Sequence, residues 1–251
     1  MSFVVFSINL ILMSLVWIKI LEHLGYSQEK RFHFKVYWIS NFLKRIPGTI
    51  WYIVGRAKFY ESSKVPKRLT TVASGIEYAL LILSSFTVGL VFALDKFLEQ
   101  KNFLVIASIV VIIGLIIVNP KAIEWIFLRI KIDATSPNYK TLIGWFLVYC
   151  AVWLGNGLIL FLILNSISDV AIRHLFFVIG SVAFVNLISS AFFFAPSNFG
   201  VGEVTLSLLL SSILPSSISV IVAILSRLLL TMYDFIWAFI GYLLNTTSDK
   251  K

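Results

Sequence analysis

Five stretches of the chain run almost unbroken in apolar residues: 3–21, 69–94, 140–164, 173–195 and 217–244. A bilayer's hydrocarbon core is about 30 Å thick and takes about 20 helical residues to cross, so each stretch predicts a transmembrane helix. A sixth, 103–118, is shorter but carries no charge and is read the same way. The residues after it, "NPKAIEWIFLRIKID", alternate basic and apolar positions behind Pro120, the pattern of an amphipathic helix lying at the membrane surface. The N-terminal stretch has neither a basic leader nor a small-residue cleavage site, and is read as a retained helix.

Two segments break the pattern. In 34–60 the apolar run is long enough to span, but Lys44, Arg45, Pro47 and Gly48 sit at its centre. A cation at mid-bilayer costs about 2.5–3.5 kcal/mol, and here there are two. In the second half, "APSNFGVGE" interrupts the run at Pro196, and the eleven residues that follow reach only about half of the hydrocarbon thickness. Both are expected to be re-entrant, over about 36–55 and 196–214. The expected fold is therefore all-α and polytopic, with about six transmembrane helices and two Pro/Gly-broken re-entrant segments in a single domain over 1–251, without a soluble domain.

Charge distribution separates re-entry from crossing in the first case. If 34–60 turns back, one side holds Lys30, Arg31, Lys35, Arg56, Lys58, Lys64, Lys67, Arg68, Lys121, Arg129, Lys131 and Lys140, and the other only Lys96, Lys101 and Arg173. If it crosses, the division is six against nine and the asymmetry disappears. Positive charge collects on the cytoplasmic side, so re-entry is favoured and the basic side is placed inside, in a multi-pass plasma membrane protein. After residue 140 too few loop charges remain to show from which side the second break dips in.

Composition agrees: 59% of residues are hydrophobic and 13% charged, with a mean hydropathy of +0.94. Soluble domains run near 45–50% and 25%. The net charge of +9 therefore reflects orienting loops, and nucleic acid is not expected as a partner. Cys150 is the one cysteine, which excludes an intrachain disulfide and a cysteine zinc cluster. The three histidines lack metal-ligand spacing, Gly200 and Gly202 form a lone GxG, and no nucleophile–base motif occurs, so no cofactor, metal or enzymatic activity is expected.

The two broken blocks resemble the flippase-like family typified by the lysylphosphatidylglycerol synthase transmembrane region. "ISNFLKRIPGTIWYIVGR" (39–56) with "SGIEYALLIL" (74–83) is similar to its first block, and "FAPSNFGVGEVTLSLLL" (194–210) with "AILSRLLLTMYDFIWAFIGYLL" (223–244) to its second. Pro196, Gly200, Val201, Glu203 and Arg227 match in place, while Ser197 and Asn198 stand where the family carries a glycine pair. The resemblance implies a membrane domain that binds or moves lipids with phosphate-containing polar heads, phospholipids or lipid-linked glycans.

Ionisable residues inside a membrane are functional candidates because keeping them there is expensive. Lys44, Arg45 and Arg56, with Pro47 and Gly48 forming the turn, are expected to meet a lipid phosphate. Glu77, Pro196, Asn198, Gly200, Gly202, Glu203, Arg227 and Asp234 are expected to gate or couple the movement. A buried Glu77–Arg227 pair would neutralise two costly charges, and Asp234, seven residues from Arg227 on the same helix face, is the other candidate partner. The alternative to a transporter is a non-transporting membrane partner of a glycosyltransferase or lipid-modifying enzyme.

Overall fold

The computed structural model describes residues 1–45, 50–97, 119–132, 134–191 and 200–244, without the side chains of 93–97. Pro47, Gly48, Pro196, Ser197, Asn198 and the stretch 103–118 lie outside the described residues. The protein is an all-α polytopic membrane protein, and no strand occurs among the described residues. Nine α-helices are described: α1 Ser2–His23, α2 Lys30–Leu43, α3 Trp51–Glu61, α4 Lys67–Phe97, α5 Pro120–Ile130, α6 Tyr139–Asn165, α7 Leu175–Ala191, α8 Val201–Leu210 and α9 Ser216–Leu243. A 3₁₀ turn, Ile172–His174, precedes α7. Five helical segments are long and apolar enough to cross a membrane, namely those that include α1, α4, α6, α7 and α9.

Local sequence sets the helix starts. Asn119 caps α5 by accepting from the Lys121 amide at 2.9 Å, with Pro120 at the first helical position, where its missing N–H costs nothing. Asn138 caps α6 through the Thr141 amide at 2.9 Å. α8 begins at Gly200, whose φ of +100° suits a residue without Cβ, and Glu203 reaches back to accept from the Gly200 amide at 3.0 Å. Burial follows the amphipathic expectation for α5: Ile123 and Phe127 turn into the protein, while Trp125 and Leu128 stay exposed.

Contacts between helices fix their directions. α2 and α3 form an antiparallel hairpin in which His33 meets Tyr60 and Ser40 meets Arg56. Neither is long enough to span, and both their outer ends join the cluster that holds Leu24, Val65, Leu69, Ile123, Phe127 and Leu142. The described basic loops thus gather at one end of the bundle. Arg56 is the exception, since it lies inside the protein. α7 and α8 form a second antiparallel hairpin, where Gly202 faces Ser189 and Val185. Its outer ends pack with Leu164, Val170 and Val222, at the opposite end of the bundle.

The two halves therefore repeat one plan in opposite orientations. A long helix (α1 or α6), a helical hairpin (α2–α3 or α7–α8) and a second long helix (α4 or α9) follow each other in each half. α1 and α6 run antiparallel, with Asn9 against Val152 and His23 against Trp145. Each hairpin packs its first helix on the closing helix of the other half. Trp38 of α2 meets Trp237 of α9, and Phe92 of α4 stacks on Phe176 of α7 at 5.3 Å. This is an inverted repeat, an arrangement in which a pseudo-two-fold axis lies in the membrane plane.

Close packing enforces the arrangement at α6 and α7. A Cβ on Gly157 would stand 2.5 Å from the Ile179 Cα, so only glycine lets these backbones approach. The outer faces are apolar: Val4, Ile8, Ile11 and Leu15 on α1 and Val220, Ile224 and Leu228 on α9 are exposed. Polar groups turn inward, among them Asn9, Arg56, Glu77, Ser84, Ser85 and Asp234. Such a distribution suits hydrocarbon as solvent.

Candidate functional site

Between the halves lies a cavity of about 420 Å³. The first hairpin contributes Asn41, Lys44 and Arg45 from the end of α2. The second contributes Gly202, Glu203 and Leu206 from α8, with Val185, Asn186 and Ser189 from α7. α9 supplies Ser226, Arg227 and Asp234, and α1 and α6 supply Phe6, Asn9, Leu10, Trp153 and Asn156. The ends of two oppositely inserted hairpins thus meet around one space.

Two ion pairs bind α9 to the hairpins. Arg45 Nε donates to Asp234 Oδ2 at 2.6 Å, and Asn41 Nδ2 donates to Asp234 Oδ1 at 2.7 Å. Arg227 Nη1 donates to Glu203 Oε1, whose other oxygen holds the Gly200 amide. Glu203 therefore both caps α8 and anchors it to α9. Seven residues separate Arg227 from Asp234, so one helix face offers a cation to one hairpin and an anion to the other. Lys44 has no ion pair among the described residues; its Nζ lies 4.7 Å from the centre of the Tyr52 ring. Three cations against two carboxylates leave the described cavity wall with one net positive charge.

Arg56 and Glu77 lie elsewhere. Both side chains are fully buried, and Arg56 Nη1 donates to Glu77 Oε2. Arg56 Nε donates to Ser40 Oγ at 2.9 Å, and the guanidinium is packed against the rings of Trp17, Tyr37 and Tyr52. Tyr37 Oη and Tyr149 Oη donate to Glu77 Oε1 at 2.6 and 3.4 Å. This corrects three expectations. Arg56 does not line the cavity, because Glu77 and three aromatic rings enclose it. The Glu77–Arg227 pair does not form: each partner is taken by the hairpin helix beside it, Glu77 by Arg56 of α3 and Arg227 by Glu203 of α8. The second expected partner of Arg227, Asp234, is held by Arg45 instead. In both halves a charge on the second hairpin helix meets its opposite on the following long helix, with the signs reversed.

Of the remaining expected residues, Lys44, Arg45, Gly202, Glu203, Arg227 and Asp234 come together on the cavity wall, and Gly200 starts the helix that carries Glu203. The sequence reading missed Asn9, Asn41, Asn156 and Asn186. Their signal was present: an amide within an apolar span needs a partner or a polar space beside it. Asn9 Nδ2 donates to the Val152 carbonyl at 3.0 Å and to Asn156 Oδ1 at 2.9 Å, and Asn186 Nδ2 donates to Ser85 Oγ at 3.3 Å. Among the described residues no three His, Cys, Asp or Glu side chains gather to hold a metal ion. Comparison with known proteins adds no assignment: no family model, curated protein or solved structure matches the chain.

Proposed function

We propose that the protein binds a membrane lipid whose head group carries a phosphate and moves it across the bilayer, without chemical conversion. The observation that carries this reading is the cavity's charge: Lys44, Arg45 and Arg227 outnumber Glu203 and Asp234 within an apolar bundle. A phosphate reaching Arg45 or Arg227 can take over the guanidinium fork that a carboxylate now holds. The wall also includes Leu10, Leu160, Leu206 and Leu230, an apolar surface that can accept the start of an acyl chain.

The inverted repeat supports movement over static binding. Oppositely oriented halves around a central site are the architecture in which rocking of one half against the other exposes the site to each side in turn. The two ion pairs on α9 are then the contacts that release one hairpin while holding the other. The likeness of residues 39–56, 74–83, 194–210 and 223–244 to the flippase-like family agrees with this reading. The same proposal takes the basic end as cytoplasmic and the plasma membrane as the site of action.

Fluorescent phosphatidylglycerol in sealed vesicles tests it. Wild type is expected to equalise the two leaflets, and Arg45→Ala and Glu203→Gln to slow the exchange at least about tenfold, the effect of losing one charge-assisted hydrogen bond. Unchanged exchange in both variants would remove these residues from the pathway, and no exchange by wild type would remove transport.

A further inference from the structure

The charged groups of the cavity come from α2, α8 and α9, whereas α1, α6 and α7 bring three amides, Asn9, Asn156 and Asn186. Hydrogen bonds fix the orientation of each amide. The Val152 carbonyl can only accept, so Asn9 turns its nitrogen to it, and the second hydrogen of that nitrogen goes to Asn156 Oδ1. Ser85 Oγ gives its hydrogen to the Ile82 carbonyl at 2.9 Å and so accepts from Asn186 Nδ2. What remains uncommitted among the described residues is the oxygen of Asn9, the two N–H donors of Asn156, and the oxygen and one N–H donor of Asn186. Asn9 is only 5% exposed and lines the cavity, so its remaining acceptor is available to a ligand held there.

Mixed donors and acceptors select a group that both donates and accepts. A hydroxyl does so, while an ammonium only donates. Charge argues the same way. Glu203 and Asp234 are both engaged by arginines, so a cationic head would meet a net positive wall with no carboxylate to spare. Trp153, three residues before Asn156 on α6, adds an aromatic ring to the wall, its N–H committed to Ser84 Oγ at 3.0 Å. We propose that the head group carries, beyond its phosphate, an uncharged polyol or sugar whose hydroxyls bond Asn9, Asn156 and Asn186. The inference rests on the phosphate-lipid reading and narrows it away from aminoacylated lipids.

Equilibrium binding to the purified full chain tests it with three short-chain lipids: dioctanoyl phosphatidylinositol, dioctanoyl phosphatidic acid and dioctanoyl lysylphosphatidylglycerol. Wild type is expected to prefer phosphatidylinositol to phosphatidic acid about tenfold, the yield of one or two hydrogen bonds, and to bind the lysyl lipid most weakly. Asn156→Ala and Asn186→Ala are expected to shrink that preference severalfold. Equal affinity for the first two lipids, or the lysyl lipid binding best, overturns the polyol inference and leaves the phosphate reading standing. Binding of none of the three overturns both. Inositol 1-phosphate, which lacks acyl chains, is expected to bind at least tenfold more weakly than phosphatidylinositol; equal affinity would make the ligand a soluble phosphate and overturn the lipid assignment.

Discussion

Replacing Glu77 with Gln leaves the Arg56 guanidinium charged, fully buried and without its counter-ion. Removing one partner of a buried ion pair costs about 3–5 kcal/mol, because the remaining charge has lost both water and partner. Here the cost belongs near the lower end. The rings of Trp17 and Tyr37 lie 4.2 and 4.3 Å from the guanidinium carbon and stay in place in the variant. Arg56→Met strands the carboxylate instead, which keeps the Tyr37 and Tyr149 hydroxyls as donors. The double variant Arg56→Met/Glu77→Leu strands neither charge and leaves only the Tyr37 and Tyr149 hydroxyls without their acceptor. It also removes Arg56 Nη2, a buried donor with no hydrogen-bond partner among the described residues. It should therefore cost less than the sum of the single changes by about 2 kcal/mol or more. Reversible unfolding in bicelles, run as a double-mutant cycle, measures the coupling. Single effects that sum to the double within about 0.5 kcal/mol would refute the reasoning, since they would show the two charges to be energetically independent.

Other positions give sharper or simpler outcomes. Gly157→Ala forces a methyl to within 2.4–2.8 Å of Ile179 atoms and is expected to destabilise by about 1–3 kcal/mol, read as a lower thermal midpoint in detergent. Gly155→Ala would put its Cβ 2.3 Å from Asn9 Oδ1, so it is expected to displace that amide and reduce the preference for phosphatidylinositol over phosphatidic acid. Asp234→Asn removes the anion facing Arg45, and is expected to tighten phosphatidic acid binding while slowing lipid exchange, because the arginine no longer has a carboxylate to return to.

How far the sequence discloses this molecule differs from element to element. The long helices follow from apolar length alone, and the first hairpin from Lys44 and Arg45 at the centre of a run that could otherwise span. Partner choice does not follow. Whether Arg227 meets Glu77, Asp234 or Glu203 depends on which helix lies beside α9, and spacing along the chain carries no information on that. The direction of the second hairpin was equally closed to charge counting, since the loops after residue 140 hold almost no cations; the packing of Leu206 and Leu210 with Leu164 and Val222 decides it. The inverted repeat is hidden for a related reason. It preserves the order of long and broken helices, while the paired charges Arg56–Glu77 and Glu203–Arg227 exchange sign between halves.

A cysteine at Ser226, on the cavity wall, tests the transport pathway most directly. In a Cys150→Ser background, sealed vesicles of uniform orientation are treated with a membrane-impermeant thiol reagent, from the outside or from the lumen. Alternating access predicts that Ser226→Cys is labelled from both sides, and that saturating phosphatidylinositol slows both reactions. Labelling from one side only, or from neither, would contradict a cavity that passes its lipid across the membrane.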